Sequence, residues 1–337
     1  MNIHTPSTPR HLRITQTMVE DFLCDPVLGI WVIFGIKLDA FQQSRARTYW
    51  WIPNVIDSSG VGTGKSLGIW LTVQLRCLLM PGQKVLVLYQ QFDTGKRVFW
   101  NYYREQKVRS KIFEAQLGKV DLQGEDEGKA NSQGASCYIQ FFKNDSEVQM
   151  PAPNWLREAT GQKGIDINMA VIDEWTESEK MGRKDGGQGG INKQILSRVR
   201  RSSFNQHHPL WGNHRLFTAS AESPQHPAWT RYKAFVKQVE RGNPNYGVIS
   251  YSYKDFSNRI CHTGKSFADE YRNDETYASM RTQLTTAEFK RQGLGLWERE
   301  TQGWYSEEAI QRCVTQGKAM GLLPMVTRGD PILMETE

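Results

Sequence analysis

At 337 residues the chain is too long for one small module, and its length favours two domains, or one large α/β domain with an appendage. A hydrophobic fraction of 39% with 11% aromatic residues excludes wholesale disorder, and five scattered cysteines without a CxxC pair exclude a zinc ribbon or a secreted disulfide framework. The excess of 42 Lys and Arg over 36 Asp and Glu, a net charge of +6, fits a polyanionic partner without requiring one.

Residues 1–13 hold prolines and polar residues without a period and read as a flexible arm. Helical spacing starts near Thr15 and gives one or two helices up to about Arg47. Within it the longest apolar run, Val27–Ile36, is ten residues with two glycines, well short of the about 20 that span a bilayer. No membrane segment is therefore expected, and with no basic stretch ahead of it the run does not read as a signal peptide. A reducing cytoplasm is the expected compartment. Residues 48–57 (TYWWIPNVID) are aromatic and β-branched and predict a strand, which leads through a Ser/Gly-rich loop into the periodic stretch KSLGIWLTVQLRCLLM. Residues 84–90 (KVLVLYQ) predict a strand covered on both faces, and residues 92–117 a long basic amphipathic helix or helix pair. This β-α-β-α order is the pattern of a parallel sheet.

Residues 118–135 are polar and Gly-rich and read as a surface loop, followed by a hairpin about Lys143-Asn144-Asp145. Residues 167–175 (INMAVIDEW) predict the next buried strand, 182–190 a glycine-rich loop, 191–203 a short basic helix, and 215–223 and 246–256 two further strands. From about residue 267 onward the pattern is helical, with a capping box at Thr285 and Glu288.

Chemistry concentrates in the segment from Ser59 to Ser66, SGVGTGKS. Between a strand and a helix, such a loop turns successive backbone N–H groups toward phosphate oxygens, which the helix N-terminus also favours. Gly60, Gly62 and Gly64 let the backbone approach an anion, with Thr63 between them; Lys65 would reach the β- and γ-phosphates of ATP, and Ser66 would offer a hydroxyl to Mg²⁺. One departure stands out, because the pattern GxxxxGK(S/T) has Gly where this chain has Ser59. A second GKS at Gly264-Lys265-Ser266 lacks upstream glycines and reads as chance.

The strand ending in Asp173-Glu174 supplies the complementary acid. Asp173 would hold Mg²⁺ through water and Glu174 would orient or deprotonate the attacking water, although an acidic pair also ends many ordinary strands. The sequence between Lys65 and Asp173 leaves room for an intervening strand. The expected fold class is therefore α/β: a P-loop NTPase of the additional-strand, catalytic-glutamate type, with a mainly parallel central sheet flanked by helices and a small helical C-terminal subdomain. The expected domains are an ATPase core over 14–260 with an N-terminal helical cover, a helical lid or linker over 261–325, and a tail over 326–337.

From Leu38 to about Cys313 the order of features resembles the ATPase (motor) domain of tailed-phage large terminase subunits: Phe41-Gln42-Gln43, SGVGTGKS, KVLVLYQQ, AVIDE, FTASAESP and TAEFKRQGLGLW. By that resemblance Gln42 or Gln43 contacts adenine, and Thr218-Ala219-Ser220 is the coupling segment that senses the γ-phosphate, with a plain strand end as the other reading of Thr218 and Ser220. Some packaging motors carry an arginine in the phosphate loop where this chain has Val61. Transition-state charge would then be met by Arg157, Arg198, Arg200 or Arg201, in the same or a neighbouring subunit. The basic stretch from Arg183 to Arg201 either tracks the phosphates of double-stranded DNA without reading sequence or is an exposed loop and helix.

The resemblance implies ATP-driven translocation of viral DNA into a procapsid in the infected cell, a homo-oligomeric ring, and portal and small terminase subunits as partners. Large terminases usually continue into a nuclease, and the tail from Pro324 to Glu337 lacks the strands for one, so no nuclease activity is expected of this chain. The alternatives are a helicase-like nucleic-acid-remodelling ATPase and a nucleotide-gated adaptor that does not hydrolyse.

Overall fold

The computed structural model describes residues 14–89, 91–123, 137–151, 167–176, 199, 213–252, 264–266, 273–297 and 315. It divides into two compact units, Met1–Glu298 and Arg299–Glu337, and every strand described lies in the first. The fold is mixed α/β. Eight strands form one sheet: β1 (Asn54–Asp57), β2 (Lys84–Leu88), β3 (Leu117–Gln123), β4 (Cys137–Phe142), β5 (Glu147–Pro151), β6 (Met169–Asp173), β7 (His214–Thr218) and β8 (Tyr246–Ile249). Their order is β3-β4-β5-β2-β6-β7-β1-β8. The pairs from β5 to β8 are parallel and only β3-β4 and β4-β5 are antiparallel, so the hairpin about Lys143-Asn144-Asp145 forms one edge. The sequence between Lys65 and Asp173 holds β2 to β5, all on the far side of β6 from β1, whereas the strand that lies between β1 and β6 in the sheet is β7, which follows both in the chain.

Period-two alternation divides each central strand between two cores. Val55, Val87, Val171 and Leu216 enter a large core with Ile69, Trp70, Val73 and Leu75 of helix α4 (Lys65–Leu79). Ile56, Leu88, Ile172 and Phe217 enter a second core on the opposite face. The large core is closed by α1 (Gln16–Cys24), the short α2 (Pro26–Gly29) with a π-helical turn at Ile30–Phe34, α3 (Ala40–Trp51), α5 (Phe92–Arg109) and α6 (Lys111–Gln116). The second core is covered in part by α7 (Ala228–Glu240), which brings Phe235 edge-on to Phe217. No helix among the described residues is long and apolar enough to cross a membrane.

Two elements differ from their sequence patterns. Residues 48–51 are the end of α3, not the start of a strand. A capping box starts that helix, with Asp39 N donating to Gln42 Oε1 at 3.0 Å, and Ala46, Tyr49 and Trp50 then fall on its buried face. Trp50 Nε1 donates to Leu23 O, and Pro53 forces Ile52 into extended backbone (φ −93°, ψ 121°), so the chain becomes a strand only at Asn54. Residues 118–123, expected as loop, are most of β3. An edge strand needs only one apolar face, and Leu117 and Val120 provide it against β4. The helical run before Arg47 is also split, because Gly35 at φ 67° closes the π-helical turn in the left-handed conformation. Farther along, α8 (Asn273–Gln283) and α9 (Thr286–Gln292) follow, the latter with its capping box at Thr285 and Glu288 as the sequence indicates.

Candidate nucleotide-binding site

Four central strands end in a row of polar groups on the α4 side of the sheet. Asp57 pairs with Thr218 and Thr218 with Asp173 in the strand register, and Tyr89 continues the row beside Asp173. This C-terminal edge of parallel strands is where open α/β sheets bind ligands. Directly after Asp57 the chain forms the loop Ser58–Gly64 and enters α4 at Lys65. Gly62 and Gly64 have φ of 77° and 79°, a left-handed region that side chains with a Cβ avoid. A Cβ at Gly62 would meet nothing within 4 Å, so backbone shape alone calls for glycine there. The first amides of α4, which have no partners within the helix, follow at once.

Asp57 is the hub of the loop. It is wholly buried and accepts hydrogen bonds from Arg45 Nε at 2.7 Å, the Tyr49 hydroxyl at 2.6 Å and the Ser59 amide at 3.0 Å. Burial alone would raise its carboxyl, but Arg45 and Lys65, with the hydrogen bonds from Ser59 and Tyr49, outweigh it and hold the group below the usual carboxylate range. Arg45 also donates through Nη1 to Thr63 O and through Nη2 to Thr63 Oγ1 at 3.2 Å, while Thr63 Oγ1 donates to Gly60 O at 2.9 Å. The Thr63 side chain is therefore spent on the loop itself. Gly68 makes room for the arginine, since a Cβ there would sit 3.1 Å from Arg45 Cδ.

Lys65 and the acids of β6 lie within electrostatic reach of one another across this row. The Lys65 ammonium donates to the carbonyls of Ser59 and Gly60. Burial lowers it to about 8, against the pull of Asp57, Asp173 and Glu174. Asp173 is 8% exposed and accepts from Thr218 Oγ1 at 2.5 Å and from the Glu174 amide at 3.1 Å. Burial raises its carboxyl to about 6 even though Thr218 and Lys65 oppose the rise. Glu174 has a φ of 50°, uncommon for a residue with a side chain, and this turn leaves Glu174 exposed while Trp175 is buried. Ser220 is half-buried just beyond the end of β7.

Ser59 explains its own departure from the glycine pattern. It is not among the residues with positive φ, and its Oγ accepts from Tyr251 N at 2.9 Å, so a hydroxyl is useful and glycine unnecessary. Gly60 answers to the protein too: its N–H donates to Tyr251 O at 3.0 Å, and a Cβ would come within 2.3 Å of Gly293 O. Val61 N donates to Gln292 O at 2.6 Å and Tyr277 Oη to Val61 O at 2.6 Å, so α8 and α9 brace the outer side of the loop.

A pocket beside the loop is lined by Leu38, Gln42, Gly64, Leu67 and Leu71 among others. Gln42 lines it, with its Nε2 3.7 Å from where a Gly64 Cβ would be, whereas Gln43 Nε2 is turned away to donate to Leu38 O at 2.8 Å. Ser66 is half-buried in the first turn of α4. Its hydroxyl and the Asp173 carboxylate are hard oxygen donors of the kind Mg²⁺ takes, and the open Gly62 turn and the retracted Lys65 amine fit a phosphate chain. Arg157, Arg198, Arg200, Arg201 and the stretch from Arg183 to Lys193 lie outside the described residues. Arg45, Asp57 and Tyr49 join the site without having been expected from the sequence. Their signal was a charged residue three positions after Gln42, hence on the same helix face, and an acid ending an apolar strand.

No protein-family model and no curated protein sequence matches the chain. Solved structures similar to it include phage large terminases and a DEAD box protein. A mutant of the Thermus phage P74-26 large terminase ATPase domain aligns at a TM-score of 0.49 and 13% identity, covering 85% of this chain and 100% of that one. The HK97 bacteriophage large terminase aligns at 0.49 and 14%, covering 78% of this chain and 51% of its own. A DEAD box protein from Methanococcus jannaschii aligns at 0.40 and 11%, over 88% of this chain and 76% of that one.

Proposed function

We propose that this chain is an ATPase, and that hydrolysis in the loop-and-acid site drives the movement of double-stranded viral DNA into a procapsid. The observation that carries the catalytic half is that Lys65, at the foot of a glycine loop, feels the charges of Asp173 and Glu174 at the end of a strand two places away in the same sheet. Lys65 would neutralise the β- and γ-phosphates, Gly62 and Gly64 would shape the backbone around them, and Gln42 would line the base pocket. Ser66 and Asp173 would hold Mg²⁺, which supplies charge neutralisation on the phosphate oxygens when bound. Glu174 is exposed and free to orient a water. The water oxygen bonds to the γ-phosphorus as the bond from that phosphorus to the β-γ bridging oxygen breaks, and the water's proton passes to the Glu174 carboxylate.

The translocating half rests on the order of sequence features and on the basic stretch from Arg183 to Arg201, which would neutralise duplex phosphates without reading bases. In this reading the chain works as a ring in the infected cell's cytoplasm, on a portal and with a small terminase subunit, and Arg157 or one of Arg198, Arg200 and Arg201 completes a site. Steady-state ATP hydrolysis, with and without long duplex DNA, tests both halves. The native chain is expected to hydrolyse ATP faster with DNA, and Glu174→Gln to bind ATP while losing at least about a hundredfold in rate. A native chain that binds ATP without hydrolysing it would refute the enzyme, and strand separation would replace packaging by helicase action.

A further inference from the structure

Tyr89 is a buried polar residue to which the site, as described, gives no task. It follows β2 at the sheet's C-terminal edge, and the pairing of Val87 with Val171, carried two residues further, sets it beside Asp173 on the same face. Its side chain is 8% exposed, stands edge-on to Phe99 at 6.1 Å, and lies over Gly95 of α5, where a Cβ would come within 2.3 Å of the ring. The fold thus admits a full aromatic ring here by giving up a side chain on the facing helix. Yet the Tyr89 hydroxyl has no hydrogen-bond partner among the described residues.

A buried hydroxyl left unpaired disfavours folding, and in native proteins such groups are met by water or ligand. Phenylalanine would fill the same space without that cost, so packing does not account for the oxygen. The charges that Tyr89 feels include Asp173 and Glu174, the two acids of the proposed reaction. We propose that the Tyr89 hydroxyl grips the water that Glu174 orients, holding the nucleophile from a second side. The proposal rests on the reading of the site as an ATPase. On the row of strand ends Tyr89 is placed on the far side of Asp173 from Thr218, the side on which no hydrogen-bonding group described above lies.

The test compares the native chain with Tyr89→Phe in three measurements: the thermal midpoint without nucleotide, the affinity for a fluorescent ADP, and kcat and KM for ATP at saturating Mg²⁺. The midpoint is expected to stay or rise, ADP affinity to stay within about twofold, and kcat to fall about tenfold at unchanged KM, the loss of one hydrogen bond to the reacting water. A lower midpoint would show a hydroxyl already partnered in the folded chain and would overturn the assignment, as would an unchanged kcat. In a Mg²⁺ titration of both proteins, a kcat loss confined to sub-saturating Mg²⁺ would move the hydroxyl to the metal's water and overturn it as well. Should the native chain itself fail to hydrolyse ATP, the ATPase reading falls first; a competent native chain with an indifferent variant removes the Tyr89 proposal alone.

Discussion

The buried pair of Arg45 and Asp57 gives the sharpest test of how the loop is held. Their side chains are 1% and 0% exposed and 2.7 Å apart. Changing Arg45→Met leaves Asp57 with the Tyr49 hydroxyl and the Ser59 amide but no cation in contact, and strips Thr63 of both its guanidinium donors. An uncompensated buried carboxylate costs about 3–5 kcal/mol. Asp57→Asn strands the guanidinium instead, at a similar cost. The double variant removes both charges and keeps the volume, so the remaining loss is that of the two bonds to Thr63, about 1 kcal/mol each. The expected coupling is therefore favourable by at least about 2 kcal/mol. Urea unfolding of the nucleotide-free chain, followed by tryptophan fluorescence, reads all four corners of the cycle. Single-variant losses that add within about 0.5 kcal/mol would refute the account, because a charge pair that matters cannot be additive. Arg45→Lys is expected to fall between, since an ammonium keeps the charge but cannot serve Asp57 and Thr63 together as a fork does.

Asp173 makes a prediction about pH. Its folded pKa, about 6 against 3.8 in the free residue, means that the native state holds the proton more tightly. Stability from this group is full below the lower value and is lost as pH rises to the upper one, so Asp173→Asn is expected to be more stable at pH 7.5 without ligand, by on the order of 2 kcal/mol, while losing hydrolysis. Parallel unfolding profiles between pH 4 and 7 for the two proteins would contradict this. Lys65, lowered to about 8 by burial, is largely neutral at pH 9 and is expected to take up a proton when a triphosphate binds. Calorimetry in buffers of differing ionisation enthalpy should show that uptake at pH 9 and almost none at pH 6.5. Gly60→Ala would push a methyl against Gly293 O, which a Cβ would approach to 2.3 Å. A loss of about 1–3 kcal/mol in urea unfolding is expected, with weaker binding of fluorescent ATP, because the brace from α9 moves with the loop. Thr218→Val removes the 2.5 Å bond to Asp173 and should lower kcat more than it raises KM.

Much of this protein is written locally. The period-two runs of β2 and β6, the helical period of α4 and the glycines between β1 and α4 are satisfied within a few residues of themselves, so the chain alone determines the β-α-β-α plan, the phosphate-type loop and the acid pair at Asp173 and Glu174. The capping box at Thr285 and Glu288 is equally local and equally legible. What the sequence left open were matters decided by partners distant in the chain. Residues 48–51 carry strand-forming side chains, and only burial of Tyr49 and Trp50 against the core makes them helix. Gln42 and Gln43 are interchangeable by type, and it takes the Leu38 carbonyl to turn one of them away from the loop.

Arg45 and Asp57 read as ordinary charges until the fold buries them together, and Gly60 reads as a phosphate glycine until Gly293, more than two hundred residues on, arrives against it. Local pattern fixes which backbone shapes are cheap. Only tertiary packing decides which polar atoms lose their water, and it is on those atoms, at Asp57, Asp173 and Tyr89, that the proposed chemistry rests.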